Sequence, residues 1–364
     1  MTSSPTKINF SFTHIVILFL SLVILLYRDF LYDYRVQVEN FMGYWPYQNQ
    51  ILFYETGDFK YDITAPANLR FLGLITQYLI FKTIPCLELN YINIIPAVGA
   101  GVAVEGHLHP DYVCATYSNA LMNYLSLCGI LTLMFAYCFN KLKLNLPETI
   151  ISVLLSYMLI NHLEAFTLDR ISVLYLLTIF YFMDSKKISI ILIILAALVN
   201  EKIIFILGGF FFIRYIIDGN KNFKIYFLIT LLSAMINIFI FILYAKILNF
   251  GYIGSANIDG QYNTIFTKGF YRIINIFLTK SGYSNSVLPI IFCIVPYIIN
   301  LKLKVTKLEF SKFDILIPLS LIIFGAGGGT GNIGRYVMYS FIIWVPLLSC
   351  QIYKFLKDRY TTII

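Results

Sequence analysis

Charge is what this chain has least of. Asp, Glu, Lys and Arg make up 13% of its 364 residues, against about a quarter in a water-soluble globule. With 59% hydrophobic residues and a mean hydropathy of +0.77, a soluble domain is excluded. Histidine is scarce too, at 4 residues. His107 and His109 form an HLH run beside Asp111 and His162 stands apart, without the helical spacing that metal ligands adopt. No metal site is expected. Cys86, Cys114, Cys128, Cys138, Cys293 and Cys350 include no C-x-x-C pair. They read as small apolar side chains inside the bundle. A disulfide arises only between Cys86 and Cys114, and only if the region between them is not fully inserted. No Gly-, Ser- or Pro-rich linker divides the chain and its halves show no repeat, so residues 1–364 read as one membrane domain. Nor does a basic stripe with interleaved aromatics stand outside the apolar runs. The net charge of +8 follows from topology, and no nucleic-acid partner is expected.

Long apolar runs, by contrast, recur throughout, at 10–27, 71–86, 90–104, 115–139, 149–166, 171–183, 188–200, 203–217, 225–249, 286–301, 313–328 and 336–353. A helix needs about 20 apolar residues to cross a bilayer. Several of these runs are shorter, and 71–111, broken by Pro85, Pro96 and a glycine-rich stretch, reads equally as two crossings or two re-entrant pieces. The expected fold is all-α: a polytopic membrane bundle of about 10–12 transmembrane helices. Run 10–27 follows Lys7 and lacks a small-residue cleavage site, which reads as an uncleaved signal anchor. Residues 28–70 form the first outer loop, and 71–364 hold the remaining helices.

Positive loops stay in the cytoplasm. With the N-terminus inside, the inner connections hold Lys141 and Lys143, Lys186 and Lys187, Lys221 and Lys224, Lys302 to Lys312, and Lys354 to Arg359. Both termini are then cytoplasmic, in the cytoplasmic (inner) membrane. Most carboxylates fall outside. The first outer loop mixes acids with Phe41, Tyr44, Trp45, Tyr47, Phe53 and Tyr54, which suits amphipathic helices at headgroup depth. A second interfacial helix is expected within 250–285, where Phe266, Phe270, Ile273 and Phe277 alternate with Lys268 and Arg272.

Several ionisable groups stand close to hydrocarbon. His162, Glu164, Asp169 and Arg170 lie in one short outer turn, and Glu201 and Lys202 in the next. Ionisable residues so placed commonly line a polar cavity; the plainer reading of Asp169 and Arg170 is an ion pair at a helix end. Near the C-terminus, Gly329 to Gly334 spells G-x-G-x-x-G. No βαβ unit surrounds it, so dinucleotide binding does not follow. A glycine-rich turn opening a helix, reinforced by Arg335, suits an anion; close helix packing by the glycines is the other reading.

Taken together, YRDFLYDYRV with Asp29 and Asp33, ANLRFLGLITQYL with Arg70, and the stretch from Asp169 to NEK with Glu201 and Lys202 resemble the GT-C superfamily of polytopic glycosyltransferases. The likeness is to the mannosyltransferase of GPI-anchor synthesis and its bacterial relatives. It implies transfer of a sugar from a polyprenyl-phosphate donor to a glycan or lipid acceptor on the outer face of the membrane. The implied roles are Asp33, then Asp29, as the base, and Arg70, Glu201, Lys202 and Arg335 around the donor phosphate. His162, Glu164, Asp169 and Arg170 would line the cavity. The resemblance implies no certain cofactor, and a divalent cation stays open. The chemistry stands without the family, because glycosyl transfer to a hydroxyl needs a carboxylate to take the proton and cations around the departing phosphate. Three alternatives remain: an O-antigen or exopolysaccharide polymerase, for which Arg170 fits but Asn200-Glu201 replaces the expected His; a lipid-linked sugar flippase or other transporter; and a noncatalytic membrane subunit.

Overall fold

The computed structural model describes residues 10–39, 51, 54–55, 57, 70–86, 110–160, 169–247, 287–303, 315–316, 318–319, 337 and 339–361. Among these residues every regular element is helical and none is a strand. In chain order they are α1 (Phe12–Leu25), α2 (Tyr27–Glu39), α3 (Phe71–Thr83), α4 (Pro110–Ala136), α5 (Leu146–Ile160), α6 (Asp169–Tyr181), α7 (Lys186–Leu195), α8 (Glu201–Asp218), α9 (Lys221–Ile247), α10 (Leu288–Leu303) and α11 (Phe341–Thr361).

The boundaries follow ordinary capping chemistry. Ser11 opens α1 by accepting from the His14 N–H, Asn145 and Glu148 bond reciprocally at the start of α5, and Asn200 caps α8 by accepting from the Lys202 N–H. Gly219 ends α8 with a φ of 60°, a left-handed conformation that glycine adopts without steric cost. Pro110 starts α4, where its missing N–H is not needed. A π-helical turn, Tyr137–Lys141, closes that helix.

Among the described residues two segments are able by length and composition to cross a membrane, Cys114–Lys141 and Lys221–Ile240, and a third if α1 and Tyr27–Tyr34, bent by 50°, count as one. Arg28, Asp29, Asp33, Arg35 and Glu39 crowd the 13 residues of α2, so the apolar stretch ends before Asp33. Leu146–Ile160 and Leu288–Asn300 are apolar but shorter.

Helix α4 is the hub, packing on α1, α2, α3, α5 and α6. Its buried face is partly polar, with Thr116, Ser118, Asn119, Asn123, Ser126 and Thr132 turned inward. Their hydroxyl and amide groups bond within the bundle; Asn123 donates to Asn119 O and Thr132 to Cys128 O. Such groups allow close helix approach where lipid offers no hydrogen-bond partner. α9 is the opposite case: Leu228, Leu231, Leu232, Met235, Ile238 and Phe239 are all exposed, and it packs its other side on α7 and α8. In water such a surface would drive association; in a bilayer it faces acyl chains.

Two ends can be told apart. At one, Phe10 pairs with Asn140 through its backbone N–H and C=O, Lys141 bridges Asp184 at 2.6 Å, and the α6–α7 and α8–α9 turns carry Lys186, Lys187, Lys221 and Lys224. At the other lie α2, the C-terminus of α5, the N-termini of α6 and α8, and the start of α4. There α3 folds back along α4, with Leu74 against Met122 and Gln77 Nε2 donating to Ala115 O. The extended residues after it bring Cys86 to Cys114, where the two form a disulfide. This departs from the expectation of six separate apolar thiols; Cys128, Cys138, Cys293 and Cys350 are buried thiols outside any disulfide, as expected. The pairing forms because α3 returns to the end from which α4 departs.

Candidate functional site

Asp29 and Asp33 stand four residues apart on α2 and therefore share one helix face. Aromatic packing fixes that face. Phe30 and Tyr34 are buried against Tyr117 and Tyr124 of α4, Phe30 at 5.2 Å from the Tyr124 ring, and the Tyr124 hydroxyl donates to Val23 O where α1 gives way to α2. The two carboxylates are thereby turned towards α5 and α6.

There each meets a partner. Tyr157 Oη of α5 donates to Asp29 Oδ2 at 2.5 Å. Arg170 Nη1 of α6 donates to Asp33 Oδ2 at 3.2 Å, with the arginine side chain 3% exposed and the aspartate 29%. Arg170 Nε is buried and has no hydrogen-bond partner among the described residues. A guanidinium this far from water is held in the bundle by the carboxylate it faces. Partial burial raises the Asp33 carboxyl above its usual value; the Arg170 charge and hydrogen bond oppose that shift and the Asp29 charge adds to it.

Behind this pair lies a second, fully interior group. Lys202 Nζ of α8 reaches Asp169 Oδ1 at 3.3 Å, with side chains 7% and 0% exposed. Tyr339 Oη donates to the same oxygen at 2.6 Å, and the Lys202 ammonium lies 5.5 Å from the Tyr339 ring centre. Asn200 Nδ2 donates to Ser172 Oγ at 3.0 Å and ties α8 to α6. Asp169 and Arg170 thus do not act as the simple helix-end ion pair that their adjacency suggests. Neighbouring residues on a helix point about 100° apart, so Asp169 turns to α8 and Arg170 to α2.

No family model, curated protein or solved structure matches this chain. What the site can do is read from its own charges and distances. One carboxylate is 29% exposed and held at one oxygen by a buried cation, a second carboxylate lies one helical turn away, and a buried pair braces the helices behind them.

Of the residues singled out by sequence, Asp29, Asp33, Asp169, Arg170 and Lys202 come together here. Lys202, expected at the donor phosphate, reaches Asp169. Arg70 sits at the N-terminus of α3 and is 7% exposed. Glu201 begins α8, and its side chain lies outside the described residues, as do His107, His109, His162, Glu164, Arg335, the Gly329–Gly334 turn and the segment 250–285. Among the described residues no three or more His, Cys, Asp or Glu side chains are grouped to hold a metal ion. Tyr157, Tyr339 and Ser172 are not singled out by the sequence. The one available signal was the Thr149, Ser152 and Ser156 stripe, which marks the inward face of α5 beside Tyr157.

Proposed function

We propose that this protein is a multi-pass membrane glycosyltransferase that moves a sugar from a polyprenyl-phosphate donor to a hydroxyl of a glycan or lipid acceptor. The observation that carries the reading is Asp33. Its carboxylate is anchored at Oδ2 by Arg170 while 29% of the side chain remains exposed, as a base that meets a substrate from solvent must be. The acceptor oxygen attacks the anomeric carbon, Asp33 takes its proton, and the bond from that carbon to the phosphate oxygen breaks. Asp29, held by Tyr157, keeps negative potential beside the base and the oxocarbenium-like centre. Arg70 and Arg335 are the cations assigned to the leaving phosphate.

The reading sets the protein in the cytoplasmic membrane with about 10–12 spans, both termini inside and the acidic end outside. Segregation of Lys141, Lys143, Lys186, Lys187, Lys221 and Lys224 to the end opposite Asp33 supports this orientation. So does the Cys86–Cys114 bridge at the acidic end, because disulfides persist on the oxidising side of a membrane. It also favours a re-entrant course for residues 71–86.

The test is transfer of labelled sugar from a panel of polyprenyl-phosphate donors in proteoliposomes, comparing wild type with Asp33→Asn and Asp29→Asn. Loss of turnover in Asp33→Asn, with the protein still folded, supports the base. Full turnover in both variants removes the site. A transporter reading draws on the interior Asp169–Lys202 pair; uptake of unaltered substrate by the same vesicles, without transfer, would favour it.

A further inference from the structure

The two ion pairs meet in one turn of α6. Asp169 and Ser172 stand three residues apart and so share a face of that helix; both are buried. Tyr339 Oη donates to Asp169 Oδ1 at 2.6 Å, Lys202 Nζ lies 3.3 Å from the same oxygen, and Asn200 Nδ2 donates to Ser172 Oγ at 3.0 Å. Arg170 leaves the same turn in another direction and donates to Asp33 Oδ2 at 3.2 Å. One face of the turn is therefore tied to α8 and to Tyr339, and a different face carries the guanidinium that holds Asp33.

The lever is long. Helical Cα atoms lie about 2.3 Å from the axis and an arginine tip reaches roughly 6 Å beyond, so turning the helix by about 10° carries that tip about 1.5 Å. Such a displacement opens the Arg170–Asp33 hydrogen bond, already at 3.2 Å and at the long end of good geometry. Whatever fixes the first turn of α6 thus fixes Arg170 on Asp33. Of the two groups on Asp169, Lys202 brings the charge, on a flexible stem with rotatable donors. Tyr339 brings direction: its rigid ring is 0% exposed, its hydroxyl makes the shorter contact, and the Lys202 ammonium rests 5.5 Å from its ring centre.

We propose that Tyr339 is a positioning residue for Asp33: its hydroxyl, through Asp169, sets the first turn of α6 so that Arg170 meets that carboxylate. The catalytic consequence rests on the reading of Asp33 as the base of sugar transfer. Facing Asp33 are Arg170 from α6, Asp29 from its own helix and, on Asp29, Tyr157 from α5; Tyr117 and Tyr124 of α4 pack on the neighbouring Phe30 and Tyr34. Arg170 opposes protonation of Asp33 and Asp29 favours it, so loosening Arg170 makes Asp33 easier to protonate.

The experiment compares the full-length wild type in proteoliposomes with Tyr339→Phe, which keeps the ring beside Lys202 and removes the hydroxyl. Asp33 is modified at a series of pH values with a hydrophobic carbodiimide, which reacts with protonated carboxyls, and the midpoint of its labelling is read by peptide mass spectrometry; sugar transfer is measured in the same vesicles. In Tyr339→Phe the labelling midpoint and the acid limb of transfer should both move to higher pH. Its kcat should fall about a hundredfold at unchanged KM, the cost of roughly 1 Å of misplacement. A residue that only stabilises the fold would lower the amount of folded protein and move neither midpoint nor acid limb. If Tyr339→Phe does not fold, Ser172→Ala, which releases the same turn from Asn200, takes its place and must shift the midpoint in the same direction. A midpoint that stays at the wild-type pH in a folded variant overturns the proposal. A shifted midpoint in a protein that transfers sugar from no donor upholds the positioning of Asp33 and overturns its catalytic consequence.

Discussion

Replacing Lys202 by Met removes the ammonium from a carboxylate that is 0% exposed. Asp169 keeps the Tyr339 hydroxyl at 2.6 Å, a hydrogen bond of a kind that contributes about 1.5–3 kcal/mol when the acceptor is charged. What it loses is its counter-charge. Breaking a buried pair from one side costs about 3–5 kcal/mol, a large part of a total stability of about 5–15 kcal/mol. Asp169→Asn added to Lys202→Met removes the charge that Lys202 faces and leaves a carbonyl that still accepts from Tyr339. The double variant should therefore unfold at a higher temperature than Lys202→Met alone, with a coupling of about 2–3 kcal/mol between the positions. Thermal unfolding in detergent, with gel filtration to count folded protein, measures it. A Lys202→Met protein that melts like wild type, or a double variant less stable than both single ones, would refute the reasoning. The same pair separates two roles for Lys202: if it holds donor phosphate as well as Asp169, the double variant folds yet loses sugar transfer.

Three further outcomes are expected. Because a base must be ionised and the Asp33 carboxyl is raised above its usual value, transfer should decline as pH falls through that raised value, and Asp29→Asn, by removing a like charge, should move the acid limb to lower pH; a pH–rate profile that does not move contradicts it. Cys86→Ser should leave the fold less stable by about 3–4 kcal/mol on the chain-entropy account for a sequence separation of 28, and Cys86 and Cys114 in the native protein should react with maleimide only after reduction. Cysteines placed at Gly43 and Ser255 should be labelled by an impermeant maleimide from outside and one at Ser185, in the α6–α7 turn, should not; the reverse pattern would invert the topology.

Helices were legible where punctuation was sharp. The apolar runs 149–166, 171–183, 188–200, 203–217 and 225–249 correspond to α5 through α9 to within a few residues, because Asn145, Asp184, Asn200 and Gly219 interrupt them. α1 stops at Leu25 and bends by 50° into α2, whereas the apolar run reads on to Tyr27. The charged residues beyond read as an outer loop with interfacial helices; α2 among them is a helix packed on α4. The carboxylates and cations of the site were visible as ionisable groups at run ends. Their pairing was not. Periodicity shows which face of a helix is apolar but not which helix meets it, and Asp169 beside Arg170 reads as a pair until α2 and α8 arrive from 137 and 33 residues away.

The placement of these pairs bears on what they are for. A bundle in lipid gains little from buried ions, since replacing such a pair by apolar residues of similar volume is often neutral or stabilising. Structural need alone therefore does not account for two ion pairs at one end of the helices, when α9 manages with an almost wholly apolar exposed face. The two pairs also differ. Asp169 and Lys202 are both buried, with their charges matched inside the protein. Arg170 is buried but Asp33 reaches solvent, so the cation is fixed and the anion is the member that can change its state or its partner. A fixed positive charge under an accessible carboxylate opposes the rise that partial burial imposes on it and holds its orientation through a proton transfer. That asymmetry is what a base at the mouth of a membrane bundle requires, and it is why Asp33, rather than Asp169, is the residue on which the proposed activity should depend.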